Sequence, residues 1–226
     1  MTNVKKVLQI SPSIAAGNLM NLASEVAKLE LSGADSIHFD VMDGHFVPLL
    51  TIGVPFLEQI RKITKMQLDV HIMVTNPDQV FEHYLDAGAD TLTFHIETAL
   101  HAHRICNRIK EKGKRAGIAL NPATHWRDIE FLIPSLDQIT LMSVNPGFSR
   151  QAHIPMVQKK AFEIRQYCNN LGIDMDIQLD GGVNTDNIAA IAQAGVNIVV
   201  AGGAVFNYDD FGAAVSALRK AALAQG

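Results

Sequence analysis

Cysteine is nearly missing from this sequence. Only Cys106 and Cys168 occur in 226 residues, and their spacing matches no metal-binding cysteine pattern. A disulfide scaffold is thereby excluded and a reducing compartment is expected. Long apolar runs are also missing; none approaches the ~18 residues that a membrane span requires. The stretch from Met1 to Gln9 lacks the apolar core and cleavage site of a secretory leader, so the expected location is cytoplasmic. Clustered positive charge is scarce too. The formal net charge is −4, and basic runs are only two or three residues long. Neither a nucleic-acid partner nor an anionic membrane surface is supported.

What is present is ordinary globular material, 48% hydrophobic and 19% charged. A chain of this length buries roughly 70% of its unfolded surface and needs no staples. Eight β-rich runs alternate with stretches of helical period. The runs are Val7–Ser13, Asp35–Asp43, Gln67–Val74, Thr91–Glu97, Arg115–Asn121, Gln138–Asn145, Asp176–Asp180 and Asn197–Ala201. Helices are expected near Asn21–Leu31, Pro55–Thr64, Pro77–Ala87, Leu100–Lys112, Trp126–Ile133, Ile154–Leu171, Asp186–Ala194 and Phe211–Ala224. Three helical stretches stop at a glycine two residues before an Asp or Asn: Gly33-Ala34-Asp35, Gly88-Ala89-Asp90 and Gly195-Val196-Asn197. Asn76-Pro77-Asp78 reads as a cap followed by proline in the first turn. No linker or low-complexity segment interrupts the series. The expected architecture is α/β, a (β/α)8 TIM barrel forming one domain over residues 1–226. An open doubly wound sheet is disfavoured, because the first run leads into Ser11-Pro12-Ser13 rather than a glycine-rich turn.

Alternation along each strand divides its residues between two faces. Ile37, Phe39 and Val41 oppose His38, Asp40 and Met42. Leu68, Val70 and Ile72 oppose Asp69, His71 and Met73; Leu92, Phe94 and Ile96 oppose Thr93, His95 and Glu97; Ile177 and Leu179 oppose Gln178 and Asp180. The apolar face belongs under the helices, so the polar face lines the barrel. Barrel interiors are mostly branched and apolar, and buried carboxylates and imidazoles are costly unless paired or metal-bound. His38, Asp40, His71 and Asp180, all late in their strands, make a credible site for one divalent ion such as Zn2+, Fe2+, Mn2+ or Co2+. The plainer alternative is a satisfied core His38 paired with Asp40.

Two aspartates flanking a cation suit proton abstraction and return at a carbon next to a carbonyl. A Schiff-base aldolase is disfavoured, because no lysine stands at the inward end of a strand. Turns at Asn145-Pro146-Gly147-Phe148-Ser149-Arg150, Asp180-Gly181-Gly182 and Ala201-Gly202-Gly203 follow the last three strands, where barrels often bind phosphate. Tight βα turns explain each of them equally well when taken alone.

Five segments closely resemble the ribulose-phosphate 3-epimerase family. They are Ser11-Pro12-Ser13-Ile14, the unbroken run His38-Phe39-Asp40-Val41-Met42-Asp43-Gly44-His45-Phe46-Val47-Pro48, Asp69-Val70-His71-Ile72-Met73-Val74, Met142-Ser143-Val144-Asn145-Pro146-Gly147-Phe148, and Leu179-Asp180-Gly181-Gly182-Val183. The resemblance runs in order along nearly the whole chain, and the His38–Pro48 run is its most specific part. It implies a (β/α)8 barrel with one divalent metal that interconverts D-ribulose 5-phosphate and D-xylulose 5-phosphate, a ketose phosphate substrate, and a homo-oligomer. By position it implies His38, Asp40, His71 and Asp180 as ligands and Asp40 and Asp180 as the acid/base pair. It implies Ser13 and His71 as substrate contacts, and Met42, Met73 and Met142 as a sulfur-lined floor. Gly147, Phe148, Ser149, Arg150, Gly181, Gly182, Gly202 and Gly203 correspond to the phosphate cradle.

Four positions depart from the family's usual pattern. Ser149-Arg150 replaces a glycine pair, Gly203 replaces a serine, Leu49 replaces an asparagine, and Gln178-Leu179 replaces a glutamate-valine pair. Arg150 reads either as a charged phosphate clamp or as a solvated surface residue. Three alternatives remain beside the pentulose-phosphate reading. One is a 3-epimerase of another ketose phosphate such as D-allulose 6-phosphate, another is a non-catalytic sugar-phosphate-binding barrel, and the third is a hydrolase using metal-bound water.

Overall fold

Two-residue periodicity sends one face of every strand toward the helices and the other toward a central axis. The structure, a computed structural model, describes residues 7–148 and 151–224. Its strands are β1 (Gln9–Pro12), β2 (Ser36–Met42), β3 (Gln67–Met73), β4 (Thr91–His95), β5 (Arg115–Leu120), β6 (Gln138–Met142), β7 (Asp176–Asp180) and β8 (Ile198–Ala201). All neighbours pair in parallel, in the order β1-β8-β7-β6-β5-β4-β3-β2. A Ser13–His38 bridge and a 2.6 Å hydrogen bond from Ser36 Oγ to Ser11 Oγ join β1 to β2. The result is a (β/α)8 TIM barrel.

Helices α1 (Leu22–Leu31), α2 (Val54–Ile63), α3 (Pro77–Asp86), α4 (Ala102–Glu111), α5 (Met156–Leu171), α6 (Ile188–Gln193), α7 (Gly203–Phe206) and α8 (Phe211–Leu223) surround the sheet. Each long helix buries residues at three- and four-residue spacing, as with Leu57 and Ile60 of α2 or Ile105, Cys106 and Ile109 of α4. They meet Ile37, Phe39, Leu68, Val70, Leu92 and their counterparts in one continuous outer core. Full burial of each such side chain stabilises the fold by about 1.5–3 kcal/mol. Both cysteines lie free in this core, and burial pushes the Cys106 thiol up to about 12. No helix among the described residues is long and apolar enough to cross a membrane.

The structure corrects several sequence expectations. Trp126–Ser135 is a 3-10 helix rather than an α-helix, with Pro134 inside it. The β4 strand stops at His95, and Glu97 belongs to a 3-10 turn, Ile96–Thr98. The β6 strand stops at Met142, three residues short of Asn145. The short helix α7 has only four residues, too few for a periodic signal, and was not expected. Pro77 does open α3, but the Asn76 side chain caps no backbone N–H; its amide donates to Gln79 Oε1 instead.

The rim at the N-terminal ends of the strands carries a device repeated four times. The main-chain N–H of Asp35, Asp90, Asp137 and Asn197 donates to the carbonyl of Ile10, Leu68, Ala116 and Ile177, respectively. The side-chain oxygen of the same Asp or Asn accepts the N–H of that same partner, at 2.7, 3.0, 2.9 and 2.8 Å. Each clamp ties the residue leading into an even-numbered strand to the preceding odd-numbered strand. A cation backs each one: Arg219 on Asp35, Arg61 and Lys114 on Asp90, Lys110 on Asp137, and Arg165 on Asn197. The glycines at 33, 88 and 195 have φ of 77°, 114° and 94° and turn three of the four chains into place.

Removing one acceptor strands a sheet N–H without a partner, which costs about 1–3 kcal/mol. Asp90→Ala is expected to lose that much stability in urea unfolding, and Asp90→Asn, which keeps an acceptor oxygen, distinctly less. Equal losses from both variants would remove the clamp as the cause.

Candidate metal centre and active site

Much of the inner face of the barrel is polar. Ser11, Ser13, His38, Asp40, Asp69, His71, Thr93, His95, Gln138, Thr140 and Gln178 are all buried. Such groups are tolerated only when each finds a partner. Most of them do, in a network centred on Asp69. Its carboxylate accepts from His38 Nδ1 at 2.8 Å, Gln178 Nε2 at 2.5 Å and Gln138 Nε2 at 3.2 Å. Thr140 Oγ1 donates to Gln178 Oε1 at 2.8 Å, which fixes the orientation of that amide. Burial opposes the charge on Asp69, but His38 and the two amides outweigh it and hold the carboxyl below its usual range. Gly117 leaves room for this layer, since a Cβ there would lie 2.1 Å from Thr93 Oγ1.

Above that layer the pairing fails at three atoms. His38 Nε2, Asp40 Oδ1 and His71 Nδ1 are buried with no hydrogen-bond partner. They face one another: His38 Nε2 lies 3.2 Å and His71 Nδ1 3.4 Å from Asp40 Oδ1. From β7, Asp180 Oδ2 approaches the same two nitrogens at 3.8 and 3.6 Å. The four donor atoms lie within 4.8 Å of one another. The structure thus brings together His38, Asp40, His71 and Asp180, the four residues expected from the sequence as ligands. Because Nδ1 of His38 faces Asp69, the neutral ring would direct its Nε2 lone pair into the cluster. Two imidazole nitrogens and two carboxylate oxygens, most of them without another partner, make a donor set that could hold a divalent cation.

The electrostatics agree. Burial disfavours charge on both rings, yet Asp40 and Asp69 hold His38 well above the ordinary imidazole range. Asp180 and Asp40 likewise raise His71 against the effect of burial. Burial also opposes ionisation of Asp40, but His38 and His71 overcome it and keep the carboxyl far below the usual range. The cluster calls for positive charge at its centre.

The other sequence-derived residues surround it. Ser13 Oγ donates to Asp40 Oδ2 at 2.5 Å, so its observed contact is with the carboxylate. Met42 and Met73 are register partners one layer above Asp40 and His71, and Met142 pairs with Asp180. None of the three belongs to the outer core, which separates them from ordinary strand–helix packing. Gly147, Gly181 and Gly182 sit in the turns after β6 and β7, and Gly202 and Gly203 lie where β8 runs into α7. Gly181 has φ 123°, and a Cβ there would lie 2.6 Å from Val144, so the β6 and β7 turns pack directly together. Phe148 is half exposed. Ser149 and Arg150 lie outside the described residues.

The specific run after Asp40 has a structural reason of its own. Asp43 Oδ1 accepts from His45 N and Phe46 N, and its Oδ2 from Thr75 N and Thr75 Oγ1. Partial burial opposes its charge, but these four bonds hold the carboxyl down to about 2. The loop is thereby pinned to the β3–α3 turn, with the Phe46 ring 4.8 Å from that of His95. Leu49 of the same loop is exposed. Sequence reasoning placed Asp69, Gln178 and His95 on the inner face but assigned them no role. Their parity was readable, while their partners lie on strands far apart in the chain.

Residues 9–206 match the Ribulose-phosphate 3 epimerase family. The chain is 41% identical over 218 residues to the ribulose-phosphate 3-epimerase of Synechocystis sp., covering 96% of this chain and 95% of that protein. It is 42% identical over 214 residues to the Bacillus subtilis ribulose-phosphate 3-epimerase, covering 94% of this chain and 99% of its relative. A solved 3-hexulose-6-phosphate synthase, 19% identical, superposes with a TM-score of 0.65 over 95% of this chain and 99% of that one, a likeness of fold alone. With a family match across most of the barrel and identities above 40% across nearly its whole length, this chain belongs to the ribulose-phosphate 3-epimerase family, whose members are isomerases.

Proposed function

We propose that this protein interconverts D-ribulose 5-phosphate and D-xylulose 5-phosphate by moving a proton at C3 between two carboxylates. The observation that carries the reading is the convergence of Asp40 and Asp180, from β2 and β7, on one pair of imidazole nitrogens. His38, Asp40, His71 and Asp180 would hold one divalent cation. Bound there, it supplies Lewis-acid polarisation of the substrate carbonyl and neighbouring hydroxyl, and it lowers the energy of the enediolate negative charge.

One aspartate removes the C3 proton from one side of the sugar, and the other returns a proton from the opposite side. Which of them acts first depends on the epimer bound. Ser13 steadies Asp40 through its short hydrogen bond, which keeps one carboxylate oxygen directed at the cluster. Met42, Met73 and Met142 present a polarisable, proton-poor wall that keeps competing donors from the enediolate. The turns containing Gly147, Gly181, Gly182, Gly202 and Gly203 cluster at the C-terminal rim and would receive the phosphate.

Two bases leave an isotopic mark. In deuterated water, product from the first turnover is expected to carry deuterium at C3, because the incoming proton comes from the second, solvent-equilibrated acid. Product that retains the substrate's own hydrogen would overturn the two-base reading. Asp40→Asn and Asp180→Asn are each expected to lower kcat by about 10²–10⁴-fold.

Loading with a divalent metal is expected to raise the thermal midpoint, since a ligand at 100 times its Kd stabilises the native state by about 2.7 kcal/mol. Stripping with a chelator should abolish epimerisation, and metal should restore it. Full activity after verified metal removal would contradict the proposed dependence. Parallel assays on a pentulose and a hexulose phosphate decide the substrate; preference for the hexulose would replace the one named here.

A further inference from the structure

His71 does not end at the cluster. Its second ring nitrogen, Nε2, lies 3.0 Å from Nε2 of His95, which follows on the neighbouring strand β4. The ring centroids are 5.0 Å apart and the planes differ by 22°, so the two nitrogens point at one another edge to edge. The opposite side of the His95 ring, Nδ1, lies 3.0 Å from Glu97 Oε2. Glu97 Oε1 accepts from Asn121 N at 2.8 Å and from Thr124 Oγ1. The carbonyls of Asn121, Pro122 and Thr124 are gathered by Lys160 Nζ at 2.9, 3.0 and 2.7 Å, which orders the loop that supplies those donors.

We infer that His95 and Glu97 are positioning residues that act through His71, fixing the ring form in which its Nδ1 lone pair faces Asp40 and Asp180. This rests on the metal-dependent reading given above. The direction of the chain follows from counting protons. Asn121 N and Thr124 Oγ1 both donate to Glu97 Oε1, as suits an ionised, acceptor-only carboxylate. Burial opposes that charge, and the bonds from His95, Thr124 and Asn121 overcome it and hold the carboxyl down to about 2.

Nδ1 of His95 therefore carries the proton given to Glu97. A neutral His95 then has only a lone pair at Nε2, the atom that lies 3.0 Å from His71 Nε2. That lone pair must be met by N–H from His71 Nε2. A neutral His71 with its proton on Nε2 has none on Nδ1, and Nδ1 is the atom that lies 3.4 Å from Asp40 Oδ1 and 3.6 Å from Asp180 Oδ2 with no other partner. The reverse direction would put a bare Nδ1 lone pair of His95 against an ionised carboxylate oxygen at 3.0 Å. His38 reaches the same outcome directly through Asp69, whereas His71 reaches it through an intervening imidazole. Outer partners of this kind change metal affinity by about 10–100-fold when removed.

Glu97→Gln keeps the shape and keeps an oxygen for Asn121 and Thr124, but its amide can donate to His95 Nδ1. The chain then reverses, and the His71 proton is driven onto Nδ1. Calorimetric titration with Mn2+ or Zn2+ is expected to show at least tenfold weaker binding in Glu97→Gln, with a thermal midpoint of the metal-free protein close to that of the unaltered protein. Affinity within twofold of the unaltered protein would overturn the inference while leaving the metal site standing. Absence of binding in the unaltered protein would instead remove the metal reading, and this inference with it. Nitrogen-15 spectra of the metal-loaded, unaltered protein test the direction without a variant: His95 should be protonated at Nδ1 and bare at Nε2, and protonation at Nε2 alone would refute it.

Discussion

A lone pair buried in a protein interior has to face a proton or a cation. That constraint organises this barrel more than its apolar core does. The usual filling of a closed parallel barrel is branched hydrocarbon, which asks nothing of its neighbours. Here much of the filling is carboxylate, imidazole, amide and hydroxyl, so each such atom restricts the next. Asp69 receives three donors, Gln178 is oriented by Thr140, and Gly117 is small because Thr93 fills its space. The pairing is satisfied in the lower layers and fails at His38 Nε2, Asp40 Oδ1 and His71 Nδ1. Unsatisfied buried atoms are rare because they destabilise the fold, and three pointing at one place mark a site rather than an error of packing.

The opposite end of the barrel solves a different problem. Four Asp or Asn residues clamp odd-numbered strands to the residues that open even-numbered ones, each with an Arg or Lys behind it. Strand register is set there, at the end away from the cluster. Register in turn decides which residues are level across the interior: Asp40 with His71, Met42 with Met73, Met142 with Asp180. A one-residue slip would carry His38 and Asp40 to the helix-facing side. The two ends divide the work, one holding the strands and the other presenting the chemistry.

Much of this was legible in the sequence. Strict alternation in residues 37–42 and 68–73 identified the inner face, because a strand offers only two sides. Aspartate and histidine on that face near the strand ends pointed to a cation, because burial of such groups is costly otherwise. Less legible were elements without a period. Trp126–Ser135 carries apolar residues at helical spacing yet winds as a 3-10 helix around Pro134, and α7 is shorter than one pattern repeat. The repeated glycine before Asp35, Asp90 and Asn197 was readable as a helix stop, but the clamp made by the following side chain was not. Its partners lie about twenty to twenty-five residues away, on a neighbouring strand.

The sequence by itself determined the alternation of strands and helices, the polar inner face and the residue types available there, since these follow from local periodicity and side-chain chemistry. Its likeness to the epimerase family extended that reading to positions of the candidate site. Only the tertiary structure decided which nitrogen of each histidine faces the cluster and which hydrogen bond fixes it there. Those choices depend on atoms brought together from β2, β3, β4, β6 and β7, and closure of the barrel is what places them within hydrogen-bonding reach.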